Sequence, residues 1–246
     1  MSQTIDGSTV FWGSVGVAPK DVSLALWGIG TARVFRVHWM LAEFGLPYLS
    51  HRIQSRTGET MTPAYLKLNP RHKIPLLRHR SRLIAESAAI IQYLSETFEA
   101  PHGFYAPCDP GERAGVFQWC YFVMSELDGN TLYVIRRHAD LSHIYGEAPT
   151  AVESAKAYFR EQIETVEPAI GAGTDYLFGA GFSVADILLT SCLDWALSVG
   201  IQLPDSVMAY RRLTTARPAY LQARRRNDPA IVPPPESRVA APEDVA

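Results

Sequence analysis

The stretch "LKLNPRHKIPLLRHRSRLIAESAAIIQYL", Leu66–Leu94, decides how this chain folds. It opens polar and broken by proline, turns strand-like at Pro75, and becomes helical at Glu86-Ser87. "PLLRH" and "RLIAE" are two short apolar runs separated by Arg80-Ser81, the pattern of an antiparallel hairpin. A helix follows from Ser87 to about Phe98. Ile74-Pro75 stands at the head of the hairpin. Most X-Pro bonds are trans, and on that footing Pro75 only starts a strand. A cis bond at this place would instead turn the Ile74 N–H and carbonyl outward, where an extended peptide can pair with them as an added strand.

Working outward toward the N-terminus, "SLALWG" (Ser23 to Gly28) is a short apolar strand stopped by Gly28 and Gly30. In "TARVFRVHWMLAEFG", Val34, Val37, His38, Leu41 and Phe44 keep a helical spacing, with Thr31 at the N-cap and Gly45 closing the helix. "PYLSHRI" reads as a second strand. Strand, helix and strand in so short a span form a βαβ unit with parallel strands. A short helix near "TPAYLKL" completes the order β-α-β-(α)-β-β-α over residues 23–98. Residues 1–22 show no period and read as a loose N-terminal extension.

Toward the C-terminus, "EAPHGFYAPCDPG" (residues 99–111) is a proline- and glycine-marked linker. Only helices follow it. One is expected from Glu112 to about Asp140, bent near Gly129. A second starts near Thr150, with Val152, Ala155, Phe159, Ile163 and Val166 on one face, and a third lies in "FSVADILLTSCLDWAL". Shorter helices cover 205–226, and residues 229–246 read as a flexible tail. The fold class is therefore α/β plus all-α: a small α/β domain at 23–98, then an all-helical domain at 112–228.

Composition excludes several functions. With 246 residues, 47% apolar and 20% charged, the chain has the make-up of a globular protein with ample core. A net charge of −2 gives no electrostatic reason to bind nucleic acid or an anionic membrane. No apolar run approaches a membrane span, and "VFWGSVGVA" lacks the basic start of a signal peptide. Cys108, Cys120 and Cys192 are odd in number and widely spaced, which argues against a disulfide framework or a zinc site and suits a reducing compartment.

Three positions carry chemistry. Ser87 reads as an N-cap beside the Glu86 carboxylate; the same two residues can also grip an α-amino acid end, because the first amides of a helix lack partners and attract a carboxylate. Thr31 reads as an N-cap too, and alternatively as a hydroxyl that donates to a thiolate. A free thiol titrates near 8.5, and lowering it by about two units takes about 2.7 kcal/mol. One charge-assisted hydrogen bond of about 1.5–3 kcal/mol plus a helix N-terminus of about 0.3–1 kcal/mol reaches that figure without a general base.

"TARVFRVHWMLAEFGLPY", "NPRHKIPLL", "ESAAIIQYL" and "FSVADILL", in this order, resemble a cytosolic glutathione S-transferase of the serine type over about residues 23–226. The resemblance implies a thioredoxin-like N-terminal domain followed by an all-helical C-terminal domain, a cytoplasmic location and a homodimer. It implies glutathione as co-substrate, no metal, and a small hydrophobic electrophile as partner. By position, Thr31 falls where such members carry the activating hydroxyl, fourteen residues before Gly45. Arg33 holds a place that can also face the thiolate, and Arg36 matches the basic residue of that helix. Lys73 falls at the glycine carboxylate, Ile74 at the cysteinyl main chain, Pro75 is the cis-proline, and Glu86 with Ser87 hold the γ-glutamyl end. Ser183 and Asp186 match a helix-capping box and are folding residues. The electrophile pocket is expected to draw on Tyr121, Phe122, Met124 and Trp195, with Phe104 and Tyr105 as further candidates. For each of these, core packing is the stronger reading.

The leading expectation is thus an enzyme that ionises glutathione and adds it to an electrophile or reduces a hydroperoxide. The rival is a non-catalytic ligand-binding or interaction protein of the same fold, since fold does not settle activity.

Overall fold

Leu24, Ala25, Leu26 and Trp27 are buried in succession, so this strand has no solvent face and lies inside a sheet covered on both sides. The structure, a computed structural model, describes residues 22–170 and 174–230, with the backbones of two earlier strands. The strands are β1 (Ser2–Ile5), β2 (Ser8–Phe11), β3 (Leu24–Trp27), β4 (Tyr48–His51), β5 (Leu76–His79) and β6 (Arg82–Ala85). They form one sheet in the order β1-β2-β4-β3-β5-β6. β3 runs parallel to β4, as the βαβ reading requires, and β5 pairs antiparallel with both β3 and β6.

One expectation is corrected at the other edge. Residues 1–22 were read as a loose extension, yet β1 and β2 pair as a hairpin, and β2 lies antiparallel on β4 with Phe11 opposite Tyr48. The physical reason is the main-chain edge of β4, which demands a partner. Strands of four residues are too short to show a period in the sequence.

Helix α1 (Ala32–Glu43) begins at Thr31, whose Oγ1 accepts from the Val34 N–H at 3.2 Å. It ends in a Schellman arrangement: the Gly45 N–H donates to the Ala42 carbonyl and the Leu46 N–H to the Leu41 carbonyl. Gly45 takes a positive φ of 60°, as this turn requires. Helix α2 (Pro63–Leu68) and helix α3 (Ser87–Thr97) follow.

The described residues fall into two units, Met1–Glu99 with the segment from Pro218 onward, and Ala100–Arg217. In the second unit, α4 (Pro110–Phe122), a π-helical stretch (Val123–Leu132) and α5 (Tyr133–His138) form one continuous helical run. The π stretch includes Gly129, the place where a bend was expected. The helix starts at Pro110 rather than Glu112, because Asp109 caps it, accepting from Gly111 N (2.7 Å) and Glu112 N (2.9 Å). Helices α6 (Ser142–Tyr145), α7 (Pro149–Glu164), α8 (Glu167–Ile170), α9 (Val184–Ser198) and α10 (Asp205–Thr215) complete the unit. Nearly every face of α9 is buried, which marks it as the central helix.

Helix α11 (Pro218–Asn227) belongs to the first unit, although the sequence reading placed it with the helical domain at 112–228. Tyr220 meets Phe35 and Trp39 of α1 edge-on, with ring centroids 5.3 and 5.0 Å apart. Of the tail expected at 229–246, residues 231–246 lie outside the described residues.

The capping box at the start of α9 is formed. Asp186, fully buried, accepts from Ser183 N (2.8 Å), Ser183 Oγ (2.5 Å), Leu177 N (3.0 Å) and Tyr210 Oη (2.7 Å). Asp186→Ala leaves these donors without an acceptor in the interior. It should destabilise the protein by more than about 3 kcal/mol, read as a lowered midpoint of urea unfolding at unchanged slope. A loss below about 1 kcal/mol would show that this carboxylate is not a folding residue.

Candidate functional site

Three strand ends meet at one level of the sheet. Trp27 of β3 lies opposite Leu76 of β5, and Leu76 lies opposite Ala85 of β6. One residue beyond this row, at the same end of the sheet, stand Gly28 after Trp27, Pro75 before Leu76 and Glu86 after Ala85. Gly28 has a φ of +126°, and a Cβ there would come within 2.9 Å of the Ile74 Cβ and 2.8 Å of the Val34 Cγ2. Only glycine fits so close an approach in that conformation.

The Ile74–Pro75 bond is cis. Just before it, the Lys73 carbonyl is held by Tyr65 Oη (2.7 Å) and Asn69 Nδ2 (2.9 Å) from α2 and its C-cap. Burial pushes the Tyr65 phenol up to about 12, so it stays a donor throughout the working range. Among the described residues, no turn or loop hydrogen bond uses the Ile74 main chain. The Lys73 side chain is exposed.

Glu86 takes φ 68° and ψ 118° at the N-cap of α3 and makes no side-chain cap bond. An L-residue rarely adopts such a backbone. Its exposed carboxylate lies 3.4 Å from Arg71 Nη1, a solvated pair of little intrinsic strength. The Ser87 N-cap reading is corrected: Ser87 is the first residue of the helix and 2% exposed. Its hydroxyl oxygen accepts instead from Nη1 of the fully buried Arg36, at 3.3 Å. The first turn of α3 is thus left without a side-chain cap, and its amides favour an anion.

Thr31 does cap α1, and it remains half-buried, as does Arg33 two residues on. A hydroxyl that accepts from Val34 N keeps its own proton to donate. The loop from Gly28 to Thr31 is tied at both ends. Gly28 N and Ile29 N donate to the carbonyls of His51 and Ile53 at 3.0 Å each, and Gly30 N donates to Asn227 in α11. Thr31, Ile74, Pro75, Glu86 and Ser87 all lie in the first unit: Pro75 and Glu86 flank the Trp27–Leu76–Ala85 row, with Ile74 and Ser87 next to them in the chain, and Thr31 caps α1.

Tyr121, Phe122, Met124 and Trp195 belong to the second unit. Tyr121 is 63% exposed and so not a core residue, while Phe122, Met124 and Trp195 are half-buried. Phe104 is buried edge-on to Phe182, and Tyr105 stacks on Phe178 at 4.8 Å, so these two are packing residues. Arg137 lies over the Tyr145 ring at 4.5 Å. Among the described residues, no cluster of three or more His, Cys, Asp or Glu is placed to hold a metal. No described helix is long and apolar enough to cross a membrane.

Residues missed in the sequence are those that support the site from a distance: Tyr65 and Asn69 behind Lys73, Arg71 beside Glu86, and Asn227 on the loop. Arg36 was named through the resemblance as the basic residue of its helix, but its bond to Ser87 was not foreseen.

A buried polar chain underlies α1. His38 Nδ1 and Tyr48 Oη lie 2.6 Å apart, and the Arg226 guanidinium sits over the Tyr48 ring. Burial first, and the Arg226 charge second, hold the His38 pKa down to about 3; burial likewise lowers His51 to about 4.

Several known proteins are similar to this chain. A family model described as the glutathione S-transferase N-terminal domain matches residues 33–97. Glutathione S-transferase D7 of Drosophila melanogaster is 31% identical over 178 residues, covering 70% of this chain and 76% of the relative. The theta class glutathione S-transferase of Xanthomonas axonopodis pv. citri, solved with glutathione bound, superposes with a TM-score of 0.70 at 26% identity, covering 82% of this chain and 97% of that one. The glutathione transferase URE2P6 of Phanerochaete chrysosporium, in complex with oxidised glutathione, shares the fold at a TM-score of 0.72 and 22% identity, over 82% and 94% of the two chains.

The histidines give the site's scaffold a pH dependence. An unfolded histidine binds a proton below about 6.5, whereas folded His38 stays neutral down to about 3. The folded state then binds fewer protons, so this stability is present above pH 6.5 and is lost as pH falls toward 3. The slope reaches up to about 1.4 kcal/mol per pH unit for each such group. Urea midpoints measured between pH 8 and 5 should fall accordingly, and His38→Gln should flatten part of the fall. Equal slopes for variant and wild type would remove His38 from this account.

Proposed function

The chain belongs to the glutathione S-transferase family, and on that premise we propose that it binds glutathione, ionises its thiol and transfers the thiolate to a small hydrophobic electrophile. The γ-glutamyl end is assigned to Glu86 and Ser87. Glu86 would meet the ammonium group, and the carboxylate would take the uncapped amides of α3 and the Ser87 hydroxyl. The cysteinyl main chain would pair with the Ile74 N–H and carbonyl, and the glycine carboxylate would meet Lys73. Thr31, with Arg33 beside it, is assigned to the sulfur at the positive end of α1. The proton leaves to solvent, the thiolate sulfur forms a bond to the electrophilic carbon, and the leaving group departs with the electron pair. Tyr121, Phe122, Met124 and Trp195 are the candidate apolar contacts of the electrophile. The protein is read as a cytoplasmic homodimer.

The observation that carries this reading is the Glu86 backbone. A non-glycine residue at φ 68° costs about 1–3 kcal/mol, and such a cost is kept where the side chain is needed. Here it sets an exposed carboxylate beside the uncapped start of α3, at the position that continues the β5–β6 register opposite Pro75. Stability and binding should therefore separate at this position. Glu86→Gly removes the strained side chain, so the melting temperature should hold or rise, while glutathione affinity falls about tenfold, as expected for one lost charge-assisted contact. Unchanged affinity in titration calorimetry would withdraw the assignment. Ser87→Ala is a poorer probe, because it also takes the acceptor from Arg36.

The sulfur assignment has its own measurement. Thr31→Val should raise the pH midpoint of the bound thiolate's ultraviolet band by about one unit, and Thr31→Ser should keep it near wild type. A wild-type complex whose thiol titrates as free glutathione does would favour the rival, a binding protein without turnover.

A further inference from the structure

We propose that Asn227, the last residue of α11, is a positioning residue for the loop that carries Thr31. It holds the Gly30–Thr31 main chain where the start of α1 and the Thr31 hydroxyl meet the sulfur. This inference rests on the glutathione reading above.

The contact is two-sided. The Gly30 N–H donates to both the Asn227 main-chain oxygen (2.9 Å) and its side-chain Oδ1 (3.0 Å). The Asn227 Nδ2 donates in turn to the Thr31 carbonyl at 3.3 Å. One carboxamide thus meets a donor and an acceptor on neighbouring residues, which neither a carboxylate nor an apolar side chain can do. Asn227 is itself held on both sides. Arg52 Nη1 donates to the Arg226 carbonyl (2.9 Å) and Nη2 to the Asp228 carbonyl (2.6 Å).

A separate observation shows that loop and helix end are fitted to each other. Gly30 has a φ of +78°, and a Cβ built on it would lie 2.9 Å from the Pro229 Cγ. The loop holds two glycines in three residues, Gly28 and Gly30, so its own backbone sets few limits. Its first half is bound to the strand end at His51 and Ile53, and its second half to Asn227. A hydroxyl that stabilises an anion acts only when its donor direction is fixed beforehand, and Asn227 supplies that fixing on the Thr31 side.

Asn227→Ala and Asn227→Asp test this, each compared with wild type by two readouts. The first is amide hydrogen exchange, which needs no glutathione. Gly30 should exchange severalfold faster in Asn227→Ala, where only the Asn227 main-chain oxygen is left to accept from it, with the interior amides of α1 still protected, and should stay protected in Asn227→Asp, which keeps both acceptors. The second is the pH titration of the bound thiolate band. Both variants should raise its midpoint by about half to one pH unit, while the glutathione Kd stays within about twofold because the contacts at Glu86 and Ser87 are untouched. Gly30 exchange that does not change in Asn227→Ala overturns the side-chain clasp. A midpoint that does not move in either variant, against a depressed wild-type value, overturns the positioning role. A wild-type thiol that titrates as in free solution overturns the thiolate reading of the site instead, and the exchange arm still reports on the clasp.

Discussion

Register is the constraint on which this molecule depends. Trp27, Leu76 and Ala85 stand in one row across β3, β5 and β6, so Gly28, Pro75 and Glu86 leave the sheet together. A slip of one residue would send every side chain of a strand to the opposite face and would part these three turns. What fixes the row is burial. β3 is apolar on both faces, and β5 is buried at Leu76, Leu77 and His79, which allows no sliding toward water. The chemistry proposed for the protein needs no unusual side chain. It needs a free main chain, a helix start and a hydroxyl, and the row fixes where Pro75 and the start of α3 leave the sheet.

Electrostatics adds a second layer beneath that geometry. Arg36 has no exposed surface and donates to the hydroxyl of Ser87, joining the middle of α1 to the start of α3. A guanidinium so placed sits behind the helix end that is assigned to a carboxylate, where a positive charge is favourable. Its burial costs desolvation and is tolerable only because it is bonded. The exposed Arg71 plays a different part. Its loose contact with Glu86 is an ion pair in solvent, weak enough for a ligand ammonium to displace.

Much of this was legible in the sequence because it is local chemistry. Thr31 as a cap, Gly45 as a stop, the two-residue turn at Arg80-Ser81, and the Ser183–Asp186 box each declare themselves within a few residues. The proposal for Ile74, Pro75, Glu86 and Ser87 has the same origin: strand, turn and helix signals change hands there. What escaped depends on distant partners. Arg36 and Ser87 are 51 positions apart, and Gly30 and Asn227 are 197 apart, separations at which no spacing rule speaks. The π-helical stretch at Val123–Leu132 escaped as well, since its hydrogen-bond pattern is imposed by packing and only Gly129 hinted at it. The Ser87 cap failed because a buried arginine competed for the hydroxyl.

Helix α11 carries a consequence for how the protein is made. Its Tyr220 covers Phe35 and Trp39, yet 181 residues separate Tyr220 from Trp39 along the chain (220 minus 39). During synthesis the ribosome releases the sheet and α1 long before it releases their lid. The first unit therefore waits, with an aromatic surface uncovered, until the whole helical unit has emerged. The order of translation makes the final helix the closing step of the domain that was begun first.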